Sequence, residues 1–123
     1  MWNTALWVAQ GLVAALMALA GAAKLLVSRE KLAPKMHWAA TWPRERIRLL
    51  GLAEVLGAVG LVAPQATGIA PLLTPLAALC LAVLMAGAIQ THRRLGEGFA
   101  PPAVVAALCL AIAAGRLFVG VQA

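Results

Sequence analysis

Glu54 is the residue of this chain with the strongest claim to chemistry, because it is a carboxylate inside an apolar run. The run extends from Leu49 to Ala63 and contains no other charged residue. A charge near the centre of a bilayer costs from roughly 3 kcal/mol to well above that value. Such a charge is retained where it has an ionic partner or a role in binding or proton transfer. We expect one of these uses for Glu54.

Three further polar residues should lie near Glu54. Lys24 lies one turn before the end of the first apolar run, and antiparallel packing of the first two runs would bring it to a depth similar to that of Glu54. Gln90 and His92 end the third run on the same side. We therefore expect Glu54, Lys24, Gln90 and His92 to form a polar pocket that can hold a small ligand.

Arg116 belongs at a different depth. It lies roughly 24 Å along the last apolar run at 1.5 Å per residue, which matches Trp7 and Gln10 in the first run. A contact between Glu54 and Lys24 is therefore favoured over one between Glu54 and Arg116, although we count Arg116 among the candidate polar-pocket residues.

Each of these residues also has a plainer role. Lys24 and Arg116 could extend outward to the membrane interface, as long basic side chains often do. His92 could be an interfacial residue beside Arg93 and Arg94. Glu54 could form a purely structural ion pair with Lys24. The sequence leaves these alternatives open.

The composition is that of a membrane protein. Of 123 residues, 63% are hydrophobic and 11% are charged, whereas soluble domains have about 45–50% apolar and about 25% charged residues. So small a domain cannot bury this apolar excess, and lipid must cover it. Basic clusters beside membrane spans set topology and meet anionic head groups. We therefore expect membrane lipids, and not nucleic acid, as partners.

The apolar runs predict an all-α polytopic membrane protein, a four-transmembrane-helix up-down bundle in a single domain, residues 1–123. The spans should cover about 4–27, 47–63, 69–90 and 100–121. The long link between the first two spans has Trp38 and Trp42 among its basic residues. This composition predicts a short interfacial helix from Pro34 to Trp42. A lid over a pocket is the alternative role for this segment.

The charges of the links predict the orientation. Eight Lys and Arg residues lie in the links after the first and third spans, counting Arg48 at the very start of the second span, whereas the central link and the N-terminus contain none. The positive-inside rule places both basic links in the cytoplasm and both chain ends outside. We expect a multi-pass protein of a bacterial-type plasma (inner) membrane. The N-terminus lacks the basic region of a signal peptide, so the first span should be retained.

Small residues at four-residue spacing predict close helix packing. They are Ala14, Ala18 and Ala22 in the first span, Ala53, Gly57 and Gly60 in the second, and Ala103, Ala107, Ala111 and Gly115 in the fourth. Pro71 suits the start of the third span, Pro101 and Pro102 suit the start of the fourth, and Pro75 could kink the third.

The two cysteines, Cys80 and Cys109, are each expected to be small buried hydrophobic residues, with a disulfide between neighbouring spans as the alternative. The sequence contains no C-x-x-C pair and no haem, flavin or metal motif. We predict no catalytic residues and no metal site.

Several segments together resemble the DoxX-like family of small four-span membrane proteins. They are Gly21–Leu25, Leu52–Leu61 with Pro64, the third span with Pro71, Met85–Ala88, Thr91, His92, Gly96 and Glu97, and the terminal Gly115–Arg116. The resemblance implies a four-helix membrane bundle and, for some members, a small subunit of a membrane redox system. Lys24, Glu54, His92 and Arg116 match its recurrent polar positions.

Three functions follow as hypotheses. The first is a small ligand-binding or accessory subunit. It would bind a quinone-like or lipid-like ligand, and its protein partner would be a redox protein or a second copy of the chain. The second is a small proton-coupled transporter that acts as an oligomer. The third is an enzyme in which Glu54 and His92 supply acid–base chemistry, and we weight it least because no nucleophile or metal site accompanies them.

Overall fold

Four long helices make up nearly all of the structure. The computed structural model describes residues 2–27, 31, 43–96 and 98–118. The helices are α1 (Trp2–Leu26), α2 (Arg44–Thr67), α3 (Leu73–Arg94) and α4 (Ala100–Phe118). Each is long and apolar enough to cross a membrane. The predicted all-α, four-span polytopic fold is confirmed. The predicted interfacial helix, and the lid it might form, lie outside the described residues.

The helices form an up-down bundle. Each helix packs against its neighbours in the chain, and α1 also packs against α4, which closes the ring. We call the end where α2 and α4 begin the basic end, and the opposite end, with the uncharged α2–α3 link, the neutral end. At the basic end, Arg44 Nη1 donates a hydrogen bond to the Val27 carbonyl oxygen. This bond joins the two ends of the long α1–α2 link.

The second helix is longer than the apolar run that predicts it. It begins at Arg44, directly after Pro43, and has Glu45 in its first turn, where a carboxylate interacts favourably with the helix dipole. It continues past Pro64 to Thr67. The residue that stops it is Gly68, whose φ of 73° is left-handed and whose N–H donates to the Pro64 carbonyl oxygen at 3.0 Å. The segment expected to be the link is therefore mostly helix.

The prolines of α3 and α4 lie where a helix tolerates them. Because α3 begins at Leu73, Pro75 falls in its first turn, where no intrahelical N–H bond is lost. The expected kink at Pro75 therefore has no cause. Pro101 and Pro102 lie in the first turn of α4, as predicted.

An apolar core occupies the middle of the bundle. The core residues from all four helices are Val13, Met17, Ala58, Leu61, Ala78, Leu81, Met85, Cys109, Ile112 and Ala113. Large apolar side chains also cover the outside, among them Leu16, Leu56 and Val83. A bundle that is apolar inside and outside is what a lipid environment requires.

Glycines allow the closest helix contacts. A Cβ atom at Gly21 would lie 2.6 Å from the Gly51 carbonyl oxygen, so α1 and α2 touch backbone to backbone there. In α2, Gly57 and Gly60 lie against Leu81 and Ala77 of α3. Small residues at interfaces allow this approach between membrane helices. Gly57 and Gly60, two of the small residues predicted to pack in the second span, thus lie at a helix contact.

The prediction that the small residues of the fourth span form a packed face is wrong in part. Ala107 and Ala111 are exposed, although Gly115 packs against Leu6. The buried residues of α4 are instead Pro102, Cys109, Ile112, Ala113 and Arg116. In an alanine-rich helix, alanine spacing does not identify the packed face, because alanine suits a lipid-facing surface equally well.

The two cysteines lie in different environments. Cys109 is buried in the core, as expected, whereas Cys80 is exposed on the outer surface of α3. Both are free thiols. The expectation that Cys80 is buried is therefore wrong, and the two cysteines are not joined by a disulfide.

We predict that Gly51→Ala destabilises the protein, because its Cβ would lie 2.7 Å from the Gly21 carbonyl oxygen and 2.8 Å from Lys24 Cβ. The loss should be about 1–3 kcal/mol, the usual cost of overpacking. Thermal unfolding in detergent, followed by circular dichroism, measures it. Gly87→Ala in α3 is the matched control, since nothing lies within 4 Å of its added methyl group. Equal stability of the two variants would contradict the proposed backbone contact.

Candidate functional site

Glu54 and Lys24 form a buried ion pair. Lys24 Nζ lies 2.7 Å from Glu54 Oε1. Lys24 is only 5% exposed and Glu54 only 2%. The predicted contact between Lys24 and Glu54 is therefore present, and Lys24 does not extend outward to the membrane interface.

The pair forms because the two helices run in opposite directions. Lys24 lies beside Gly51, so Glu54 is three residues, roughly 4.5 Å, deeper in the bundle. Helical side chains lean toward the N-terminus of their own helix. The Lys24 side chain therefore leans inward and the Glu54 side chain leans back toward the basic end. This tilt closes the difference in depth between the two residues.

The pair has energetic consequences for the fold. Removing one member of a buried ion pair leaves an uncompensated charge and costs about 3–5 kcal/mol. Replacing both members with apolar side chains is often neutral. The pair thus holds α1 and α2 in one register, and any ligand that used the Glu54 carboxylate would have to compete with Lys24.

Gln90 and His92 lie nearer the basic end than Glu54. The contacts of Gly57 with Leu81 and of Gly60 with Ala77 set the α2–α3 register. Glu54 lies three residues before Gly57 on α2, and Leu84 lies three residues after Leu81 on the antiparallel α3. This register therefore places Glu54 level with Leu84.

His92 is eight residues beyond Leu84, roughly 12 Å toward the basic end, and Gln90 is roughly 9 Å away. Gln90 is exposed, and His92 is half-buried in the last turn of α3. Of the four residues expected to share one pocket, the structure brings Glu54 and Lys24 together and sets Gln90 and His92 at another level.

Arg116 is the centre of a second buried polar cluster, toward the neutral end. It is 0% exposed. Its Nε donates to Gln10 Oε1 at 2.7 Å, and Gln10 Nε2 in turn donates to the Leu61 carbonyl oxygen at 2.6 Å. This chain of bonds connects α4, α1 and α2. The predicted match in depth between Arg116 and Gln10 is confirmed, and the alternative of an outward-reaching Arg116 is wrong.

Two more residues of α1 belong to this cluster. Arg116 Nη1 donates to Asn3 Oδ1 at 3.0 Å, and the Arg116 guanidinium carbon lies 5.4 Å from the centre of the Trp7 ring. The distance is within the range of a cation–π interaction. Asn3 was not among the predicted residues. The spacing of Asn3, Trp7 and Gln10 along one helix face is the signal that could have found it.

An apolar layer separates the two clusters. Glu54 and Leu61 are seven residues apart on α2, which corresponds to roughly 10 Å. The core side chains Met17, Ala58 and Leu81 belong to the apolar cluster that lies among the helices in this region. A proton or ion moving between the clusters would therefore have to cross a layer of hydrocarbon.

A groove lies between α2 and α3. Its volume is about 810 Å³. It extends along α2 from Ala53 to Thr67, roughly 20 Å. Its other lining residues are Leu56, Gly57, Val59, Gly60, Ala63, Pro64, Ile69, Leu73, Leu76, Ala77, Cys80, Leu81, Val83 and Leu84. Glu54 and Lys24 do not line it, so a ligand pocket around Glu54 stays a prediction.

Metal chemistry has no candidate site in the described part of the chain. No group of three or more His, Cys, Asp or Glu side chains there could hold a metal ion.

We predict that Lys24→Met and Glu54→Leu each lower the free energy of unfolding in detergent by about 3 kcal/mol or more, because each removes the opposite charge that lies against a buried charge. The double variant should recover to within about 1 kcal/mol of the wild type. Unfolding midpoints of the four proteins test this double-mutant cycle. If the losses of the single variants simply add in the double variant, the pair does not hold the helices together.

We also predict that Arg116→Lys costs about 2 kcal/mol of stability, because a lysine cannot reproduce the planar donor geometry that serves Gln10 and Asn3 together. The same unfolding assay measures this loss. Arg48→Lys, on the exposed surface of α2, is the control and should change stability by less than about 0.5 kcal/mol. An Arg116→Lys protein as stable as this control would show that the hydrogen bonds contribute little.

A comparison with protein families gives a match. The model of the DoxX-like family matches residues 8–114, a range that contains Lys24, Glu54 and the α2–α3 groove. No curated protein and no solved structure matches the chain. The family match covers most of the sequence and agrees with the four membrane-spanning helices. The chain therefore belongs to the DoxX-like family.

Proposed function

We propose that this DoxX-like membrane protein binds a lipid-like or quinone-like molecule in the α2–α3 groove. The observation that carries the proposal is the groove itself. Its volume of about 810 Å³ lies within the range of about 300–1,000 Å³ typical of small-molecule sites. It opens on a surface that a bilayer would cover, so an apolar ligand could enter from the lipid.

The lining of the groove favours a long apolar ligand. Gly57, Gly60 and Ala77 line it with small residues, and Leu56, Leu76 and Val83 are exposed apolar residues of its lining. Thr67, near the neutral end, is the polar residue of the described lining. An acyl or isoprenoid chain along the groove, with a polar head near Thr67, fits this distribution.

In this proposal the Lys24–Glu54 pair has a supporting role. It holds α1 against the core face of α2, while the adjacent face of α2 lines the groove. The pair fixes the position of α2 and so maintains the shape of the groove. The polar residues would then act on the ligand through the helix rather than by direct contact.

The proposal extends to a cellular role. The family resemblance supports the role of a small accessory subunit of a membrane redox system. In that role the protein would bind a quinone or lipid, a redox protein partner or a second copy of the chain. We place the protein in a bacterial-type inner membrane with its basic end in the cytoplasm, because the positive-inside rule favours that orientation.

A proton-coupled transporter is less well supported by the geometry. Such a mechanism needs a carboxylate that exchanges protons with water on both sides. Glu54 is 2% exposed and pairs with Lys24. The hydrocarbon layer between the two polar clusters also gives no route for a proton.

We predict that the protein, purified in mild detergent, retains an amphipathic molecule that organic extraction and mass spectrometry recover. Ala63→Phe should reduce this retention at least tenfold, on the order of the effect of filling a binding site, because the ring would occupy the groove that Ala63 lines. Ala111→Phe, on the exposed surface of α4, is the matched control and should retain the molecule.

Two outcomes would contradict the proposal. One is recovery of the same molecules in the same amounts from wild type and both variants, which would indicate non-specific lipid. The other is a wild-type protein that retains nothing. Co-purification of a redox protein partner with wild type tests the accessory role separately, since it does not depend on the extracted ligand.

A further inference from the structure

A second depression lies at the basic end of α3, and its described lining shares no residue with that of the α2–α3 groove. Its volume is about 550 Å³, and its described lining residues are Ala86, Ile89, Gln90, Arg93 and Arg94. We propose that this depression binds the phosphate group of an anionic phospholipid. The proposal does not depend on the function assigned to the groove.

The polar side of the depression matches a phosphodiester. Arg93 and Arg94 supply two guanidinium groups, and Gln90 supplies an amide one turn away on the same helix. Guanidinium groups form paired, charge-assisted hydrogen bonds with phosphate oxygens. All three side chains are exposed, and the described lining contains no carboxylate that would neutralise them.

One of the arginines is held in position. Arg93 Cζ lies 6.0 Å from the centre of the Phe99 ring, just before α4 begins. A cation–π contact at this distance restricts the guanidinium group without using its hydrogen-bond donors for another partner. The site therefore loses less conformational freedom on binding than two mobile surface arginines would.

The apolar side of the depression indicates a lipid rather than free phosphate. Leu79, Val83, Ala86 and Gln90 follow one another at spacings of three and four residues, so they share one face of α3. Val83 is 72% exposed. This face gives the acyl chains of a lipid a continuous apolar path from the head-group site into the bilayer. An inorganic anion would make no use of it.

The position of the depression suits the same ligand. It lies at the basic end, which the charge distribution of the links assigns to the cytoplasmic side. Anionic lipids there attract basic residues near the surface, and basic pockets on this side bind lipid head groups. A site built on the last turn of a membrane helix would lie at the depth of the phosphates.

Native mass spectrometry of the full-length protein in a neutral detergent, titrated with phosphatidylglycerol, tests the proposal. Arg93→Gln/Arg94→Gln should weaken binding about thirtyfold, the effect of removing two interfacial charges. Gln90→Leu should weaken it about fivefold by removing a neutral donor. Phosphatidylcholine should bind more weakly and respond less to these changes.

The control Lys31→Gln/Arg48→Gln removes the same charge from exposed positions outside the depression and should change binding by less than about threefold. Equal losses in the two double variants, with no effect of Gln90→Leu, would overturn the proposal in favour of diffuse attraction. Displacement of the lipid by millimolar inorganic phosphate would overturn the choice of a lipid. Thermal unfolding of each variant checks that the fold is intact.

Discussion

Two glycines, Gly21 in α1 and Gly51 in α2, bring the first two helices together until neither position has room for a Cβ atom. This approach makes the other interactions between α1 and α2 geometrically accessible. It places Lys24 within reach of Glu54, and farther along the same pair of helices it lets Gln10 bond to the Leu61 carbonyl oxygen. With larger residues at the crossing, both polar contacts would have to span a wider gap, and buried charges would lose their partners at considerable cost.

The two polar clusters satisfy the same requirement in different ways. Glu54 meets an opposite charge, so the pair is neutral as a whole. Arg116 has neutral amide oxygens from Gln10 and Asn3 and the face of the Trp7 ring among its contacts. One cluster joins α1 to α2, and the other joins α4 to α1 and, through Gln10, to α2. Hydrogen bonds between membrane helices fix register where apolar packing alone allows sliding. The clusters therefore act as two fixed points, with the apolar core between them.

The sequence predicts the features that depend on depth and on polarity. The four spans, the Lys24–Glu54 pair and the common depth of Arg116 and Gln10 all follow from positions along apolar runs. It does not predict features that depend on which way a helix is rotated. Ala107 and Ala111 are as small as any packing residue and yet face outward, and Cys80 lies on the surface. In a membrane both sides of a helix are apolar, so hydrophobicity carries little information about rotation. The sequence also does not predict that Gln90 and His92 lie at a different level from Glu54. That difference depends on the α2–α3 register, which the contacts of Gly57 and Gly60 set.

The groove between α2 and α3 and the close contact between these helices have the same cause. Gly57 and Gly60 let Leu81 and Ala77 of α3 approach the α2 backbone. Toward the lipid, the same glycines offer no side chain to fill the space beside that contact, and Ala63 and Ala77 offer only a methyl group. Larger residues at these positions would both separate the helices and fill the groove. Because the polar pair holds the neighbouring face of α2, the helix cannot rotate to close the opening. The groove therefore arises from the same small residues that pack the bundle, and the buried charges maintain its shape.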